Sequence, residues 1–179
     1  MKNIIQPIVV TMGDPSGIGI EVTLRAWKNR KIKHPFFLIH DYSYVKKIIK
    51  KMKINIPLKL ISEPNQAVKT YKNFLPIYQL EVAKNTKLGK PNKQNAKVIL
   101  KSIDMALKFI QSGEVAAMVT NPIAKNIINY ASKNFTGHTE YLAKKSKSKN
   151  FCMMLINDTI RVIPLTIHIP LKKVSPSIS

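Results

Sequence analysis

An α/β fold with helices on both faces of a layered sheet follows from three features of the sequence. The first is an opening in which an apolar run, Gln6 to Met12, breaks at a glycine-rich turn and gives way to a helical stretch. The second is the repeated alternation of short apolar runs with amphipathic segments along the chain. The third is a long segment, Lys93 to Gln111, whose apolar residues recur at helical spacing.

The elements follow in order. Gln6 to Met12 reads as a buried strand and Ile18 to Lys28 as the helix after the turn, with Asp14 or Ser16 capping that helix and Pro15 in its first turn. Phe36 to His40 is a second strand. Tyr42 to Lys53 is a second helix, with Val45, Ile48, Ile49 and Met52 on one face. Leu58 to Ile61 and Phe74 to Gln79 are weaker strand candidates, and Glu81 to Pro91, polar and containing Gly89, is a loop. In the helix from Lys93 to Gln111, Ala96, Ile99, Leu100, Ile103, Ala106, Leu107 and Ile110 form the apolar stripe, opposite Lys97, Lys101, Asp104 and Lys108. Gly113 ends it in the left-handed position common after helices. Val115 to Thr120 reads as the next buried strand, Pro122 as the start of a short helix, and Thr139 to Lys147 as another helix. Phe151 to Ile156 and Ile160 to Leu165 are strands joined by an Asn157-Asp158-Thr159 turn, so a mixed patch is expected there in the sheet.

A chain of 179 residues can bury one good core, as one large domain or two small lobes. No apolar run approaches the roughly 18 to 20 residues that span a bilayer, and no secretory signal pattern opens the chain. No membrane partner is expected, and a cytoplasmic location is. The one cysteine, Cys152, sits among Met153, Met154 and Leu155 and reads as a buried, inert thiol. The net charge of +21 raises the question of nucleic acid. Yet the arginines are only Arg25, Arg30 and Arg161, and the lysines are spread over the whole chain, so no nucleic-acid role is expected.

Four segments carry polar groups in places where chemistry is done. Gly13-Asp14-Pro15-Ser16-Gly17-Ile18-Gly19 lies at a strand-to-helix turn, where backbone N–H groups can hold an anion. Its spacing is not that of a dinucleotide fingerprint, and a purely structural turn explains it equally well. Thr120-Asn121-Pro122-Ile123-Ala124-Lys125 follows a strand at its carboxyl end, where open α/β sheets bind ligands. Lys125 could meet a phosphate or carboxylate there, or be a solvated lysine. His138, between Gly137 and Thr139, could bond a phosphate at a helix start, or Thr139 could be a cap and His138 a surface residue. His168, before Pro170, suits a metal ligand or general base at a strand end, although a lone histidine is more often structural. His34 and His40 lack polar company and read as structural.

Taken together, Thr11-Met12-Gly13-Asp14-Pro15-Ser16-Gly17-Ile18-Gly19, Val119 to Lys125, Phe135 to Glu140, Met153-Met154-Leu155 and Thr166-Ile167-His168-Ile169-Pro170-Leu171 resemble the 4-hydroxythreonine-4-phosphate dehydrogenase family of pyridoxal phosphate biosynthesis. The resemblance implies an isocitrate/isopropylmalate dehydrogenase-like fold of two α/β/α lobes, with the active site in a cleft at a homodimer interface. It implies oxidation of 4-phosphooxy-threonine by NAD or NADP to a β-keto acid that loses carbon dioxide, yielding 3-amino-2-oxopropyl phosphate. By motif, His138 and Thr139 would bind this phosphorylated substrate. His168 would be one of three histidine ligands of a divalent metal (Zn, Mg or Co) that polarises the substrate hydroxyl. Asp14 and Lys125 are further candidate ligand contacts.

Ile20 stands where the family has proline. The family's two other metal histidines belong in Asn-Pro-His and Tyr-His-Asp-Gln-Gly settings, and neither motif occurs here. The expectation is therefore an incomplete, N-terminal part of the two-lobed dehydrogenase, inactive alone and completed by a separate C-terminal fragment if it acts as half of a split enzyme. The alternatives are a related 4-phospho-threonate or erythronate-type dehydrogenase and a non-catalytic, lysine-rich binding module.

Overall fold

The computed structural model describes residues 5–29 and 32–178. The chain divides into two compact units, Met1–His138 and Thr139–Ser179.

The first unit is built on a five-stranded sheet. Its strands are β1 (Ile8–Val10), β2 (Phe36–His40), β3 (Leu58–Ile61), β4 (Leu75–Gln79) and β5 (Ala117–Val119), in the order β3-β4-β2-β1-β5. Every pairing is parallel, with Ile8 opposite Phe36 on one side of β1 and Ala117 on the other. Parallel neighbours need crossovers, and the helices supply them: α1 (Gly19–Lys28), α2 (Tyr42–Lys51), α3 (Gln66–Thr70) and α4 (Ala96–Gln111), the last preceded by a short 3-10 turn at Lys93–Asn95.

Side chains alternate across a strand, so each strand feeds two cores. Val10, Phe36, Leu38 and Ile77 pack on one face with Ile20, Leu24 and Trp27 of α1 and Val45 and Ile48 of α2. Val9, Phe37 and Ile39 pack on the other with Ala67 of α3 and Ala106 and Phe109 of α4. β2, flanked by β1 and β4 and covered on both faces, is buried at all five positions. Asp41 ends it and caps α2, its carboxylate accepting the Tyr44 N–H at 3.0 Å. The expected α/β/α sandwich is therefore present, and α4 buries Ala96, Ile99, Leu100, Ile103 and Ala106 of the expected stripe together with Ser102 and Phe109, while Leu107 and Ile110 are only half-buried.

Several expectations need correction. β5 is an edge strand with Ala117 and Val119 exposed, because it pairs only with β1 among the described residues. A buried strand would need a neighbour on its other side. The weak candidates Leu58 to Ile61 and Phe74 to Gln79 are full members of the sheet, the second beginning one residue later at Leu75, and α3 went unanticipated because its five residues bury only Ala67. Pro122 does not start a helix. The short helix α5 is Lys125–Ile128, and the Pro122 carbonyl is used instead to accept the Asp14 N–H at 2.9 Å.

In the second unit, α6 (His138–Ser146) begins on the last residue of the first, and a hairpin of β6 (Leu155–Ile156) and β7 (Arg161–Val162) follows. Asn157 Oδ1 closes the turn by accepting the N–H groups of Thr159 and Ile160 at 2.9 and 2.7 Å. This hairpin is a separate antiparallel ribbon, so the five-stranded sheet has no mixed patch. Both strands are shorter than expected. Residues 151–163 are all exposed, and Cys152 with them, because the hairpin lies against no core among the described residues.

His40 ends β2 with no exposure at all. Its Nδ1 accepts the Asp41 N–H at 2.8 Å, its ring stacks on Tyr44 at 5.7 Å, and its Nε2 has no partner. Burial drives its pKa from 6.5 down to about 4 against the opposing pull of the Asp41 charge. The unfolded chain therefore binds the extra proton first, and this contribution to stability, full above pH 6.5, is lost as pH falls towards 4. Between pH 8 and 5 the loss from His40 should be about 2 kcal/mol. Urea unfolding of His40→Leu should show a pH dependence shallower by that amount, and an unchanged slope would refute it.

Candidate functional site

In an open parallel sheet the ligand crevice forms where the strand order reverses, beyond the carboxyl ends of the strands. Here the chain leaves β1 towards β2 and returns on the opposite side as β5. The turns after β1 and β5 are the two motifs Thr11 to Gly19 and Thr120 to Lys125, so the fold joins segments more than 100 residues apart.

Asn121 holds them together. Its Nδ2 donates to the Thr11 carbonyl at 3.0 Å and to Thr23 Oγ1 on α1 at 2.9 Å, and its backbone N–H donates to Thr11 Oγ1 at 3.2 Å. Thr11, Thr23 and Asn121 are all buried, so each of these bonds replaces water that cannot enter. Neighbouring backbone completes the seam. Thr11 N–H donates to the Val119 carbonyl, and Met12 N–H donates to Ser102 Oγ on α4, at 2.9 and 2.8 Å. The Tyr44 hydroxyl donates to the Pro15 carbonyl at 3.0 Å, and Gly89 N–H donates to the Ser16 carbonyl at 2.8 Å.

This seam explains two of the motif glycines. Gly13 lies at φ +68°, and a Cβ on it would come 2.6 Å from Asn121 Cβ and 2.8 Å from the Pro122 oxygen. A Cβ on Gly19 would come 2.9 Å from Asn121 Cβ. Close approach of protein to protein fixes both, which favours the structural reading of the turn over the ligand reading at these two positions.

The sequence-predicted residues fall as follows. Asp14 is buried, and its Oδ1 accepts the Ser16 N–H at 2.8 Å, an internal turn bond. Neither Asp14 nor Ser16 caps α1, whose N-cap is Ile18 without a side-chain bond, and Pro15 lies ahead of the helix. Burial, and after it the negative charge of Asp14, raise the Tyr44 pKa to about 12, which keeps its hydroxyl a donor. Ser16 Oγ is buried without a partner. Lys125 is exposed at the start of α5, three residues beyond the Pro122 carbonyl that binds Asp14 N–H.

His138 and Thr139 are consecutive at the start of α6. The His138 ring lies edge-on to Phe135 at 6.4 Å, its Nε2 is buried without a partner, and burial lowers its pKa, so the neutral imidazole is favoured. His168, in the second unit, is exposed at φ +56° in a bend beyond β7, so it does not directly end the strand as expected. Among the described residues no three His, Cys, Asp or Glu side chains gather to hold a metal ion. His168 has no companion ligands within this set. Sequence reasoning missed Asn121 and Ser102 as individuals. The signal for Asn121 was its place directly after a strand, opposite a glycine turn.

Fold and seam together define an open, doubly wound α/β domain with its polar turns gathered at the switch point. The model of the pyridoxal phosphate biosynthetic protein PdxA matches residues 31–179, and the chain belongs to that family. It is 33% identical over 173 residues to a 4-hydroxythreonine-4-phosphate dehydrogenase of Zymomonas mobilis, covering 94% of this chain and 50% of that protein. It is 34% identical over 178 residues to the enzyme of the same name from Vibrio parahaemolyticus, covering 99% and 53%. A solved 4-hydroxythreonine-4-phosphate dehydrogenase from Klebsiella pneumoniae superposes with a TM-score of 0.88 at 24% identity, covering 96% of this chain and 54% of that one. The expected isocitrate dehydrogenase-like architecture is thus present over the part that the chain spans. The chain spans about half the length of the curated relatives it matches.

The seam sets an expectation for its glycines. Gly113 also has positive φ, at +73°, but a Cβ there meets nothing within 4 Å. Gly113→Ala should cost about 1 kcal/mol, the left-handed penalty alone. Gly13→Ala should cost roughly 2 to 4 kcal/mol, because the clash with Asn121 adds to that penalty. Equal losses of urea midpoint would show that Gly13 is not packed as described.

Proposed function

We propose that this chain forms part of an NAD- or NADP-dependent 4-hydroxythreonine-4-phosphate dehydrogenase. In this reading the complete enzyme oxidises 4-phosphooxy-threonine to a β-keto acid that decarboxylates to 3-amino-2-oxopropyl phosphate. The observation that carries the proposal is the family match over residues 31–179, within which the Gly137-His138-Thr139 motif stands at a helix start. A neutral imidazole with an unpartnered, buried Nε2 is suited to a hydrogen bond with substrate. The Thr139 hydroxyl, one residue on, is a second candidate contact, and the positive end of α6 favours an anionic group there.

His168 would contribute one ligand to the divalent metal. The described residues do not supply the rest of such a site, so the remaining ligands would come from polypeptide outside this set. Asp14 serves the turn in which it lies, and Lys125 remains a candidate anion contact because its ammonium is exposed next to the switch-point turn. A cytoplasmic enzyme that is a homodimer in its complete form fits the family reading. No helix is long and apolar enough to cross a membrane among the described residues.

The test is an assay with 4-phosphooxy-threonine, NAD or NADP and a divalent metal, using the chain alone and with the half of a relative that it does not match. Alone it should show no turnover, and together the two should turn over. In the active combination His168→Ala should abolish metal-dependent turnover. His138→Ala should raise KM by about tenfold, through loss of one hydrogen bond to substrate. Turnover by the isolated chain would sink the proposal.

A further inference from the structure

A groove of about 320 Å³ runs beside α2, between that helix and the loop that leads to the 3-10 turn at Lys93–Asn95. Four lysines line it from two separate elements. Lys47 and Lys51 stand one turn apart on α2, and Lys87 and Lys90 stand on the loop, where the Lys90 N–H closes a turn on the Lys87 carbonyl at 3.3 Å. No Asp or Glu lines the groove, and none of the four lysines is in an ion pair among the described residues. The loop is held against α2 by bonds that leave the four ammonium groups free. At its start the buried Asn95 side chain accepts the Ala83 N–H and donates to Thr86 Oγ1, both at 2.9 Å. Further on, Leu88 packs against the core that contains Tyr44 and Ile48, and the neighbouring Gly89 N–H is bound to the Ser16 carbonyl. The charge is therefore gathered before any ligand arrives, and no loop has to be ordered on binding. A concavity lined by one sign of charge concentrates ions of the other, and this one has the volume of a small-molecule site.

We infer that this groove binds a linear oligophosphate, of the size of a triphosphate, along the side of α2. Ammonium groups meet phosphate oxygens as point charges, and four of them around one concavity suit a small anion of high charge rather than a single carboxylate. The neutral polar groups select nothing else. The Tyr44 hydroxyl donates to the Pro15 carbonyl and Thr86 Oγ1 to the Ala83 carbonyl, so both are spent inside the fold. A bounded groove of this volume takes a small molecule, whereas a nucleic-acid strand needs a charged track with aromatic platforms for its bases. The site is also separate from the switch-point crevice. Lys51 is the last residue of α2, about 15 Å along the helix from the end that follows β2. Binding there needs neither turnover nor the half of the relatives that this chain does not match.

Calorimetric titration of the 179-residue chain with inorganic tripolyphosphate tests it, at about 50 mM salt so that exposed charges are not fully screened. Saturable binding at a single site in the micromolar range is expected. Lys87→Ala with Lys90→Ala should weaken it by about tenfold or more. Lys97→Ala with Lys101→Ala removes equal charge from the exposed face of α4, and Lys125→Ala removes charge beside the crevice; each should change affinity by no more than about twofold. All five lysines are exposed, so the substitutions leave the core intact, and thermal melts confirm it. ATP without divalent metal carries the same phosphate chain. Affinity equal to that of tripolyphosphate supports the phosphates alone as ligand, and tighter binding supports a nucleotide whose nucleoside lies over Ile48 and Leu88. Absence of saturable binding would overturn the inference, as would an equal loss in the α4 variant or a loss confined to Lys125→Ala. Preferential binding of a single-stranded RNA oligonucleotide that displaces tripolyphosphate would also overturn it, by assigning the lysines to nucleic acid.

Discussion

The arrangement of the first unit depends on one buried side chain, Asn121. A parallel sheet whose strand order reverses at β1 leaves two turns facing each other with their backbone groups unpaired, and burial without partners would cost about 1 to 3 kcal/mol for each group. Asn121 has the donor and length to reach the Thr11 carbonyl and the Thr23 hydroxyl at once. The same side chain excludes a Cβ at Gly13 and Gly19, so the sequence of the first turn is constrained by a residue in the second. Asp14 N–H, bound to the Pro122 carbonyl, extends the lock along the backbone. The crevice where α/β sheets bind ligands thus has a rigid floor.

That floor separates two kinds of polar residue which sequence motifs mix together. Thr11, Asp14 and Asn121 make bonds that stay within the fold, whereas Ser16 Oγ and His138 Nε2 are buried polar atoms with no partner. Buried groups left in this state are uncommon, and at a switch point or a helix start they fit contacts to ligand or water. His40 Nε2 is a third such atom, at the carboxyl end of β2. Its isolation from polar sequence neighbours made it read as ordinary core, and only the topology shows that it shares the ligand-facing end of the sheet.

How much was legible in the sequence varied with how local the cause was. Phe36–His40 and Leu58–Ile61 were read to the residue, because apolar runs end there at residues that begin turns. The long amphipathic helix was equally plain, its period repeating over four turns. What failed depended on distant partners. Val115 to Thr120 has the composition of a buried strand, and whether a strand lies inside or at an edge is decided by neighbours that its own residues do not specify. Cys152 sits among apolar residues, yet an apolar neighbourhood in sequence buries a thiol only if another layer lies over it. Pro122 has the φ of a helix start but its carbonyl was claimed by Asp14 N–H, a bond invisible to local pattern. The functional motifs were found as segments, while the division of labour within them was not.

The separation of 110 residues between Thr11 and Asn121 also has a kinetic meaning. On a ribosome adding about 5 to 20 residues per second, β1 emerges and can meet β2 early, but its second neighbour is made only about 5 to 20 seconds later. Throughout that interval the nascent chain carries Val9 and Val10 in a strand with one bare edge. Closure of the seam is a late, non-local event of high contact order, which slows folding. The residues that give the finished protein its rigid floor therefore also define the period in which the growing polypeptide most needs protection from its neighbours.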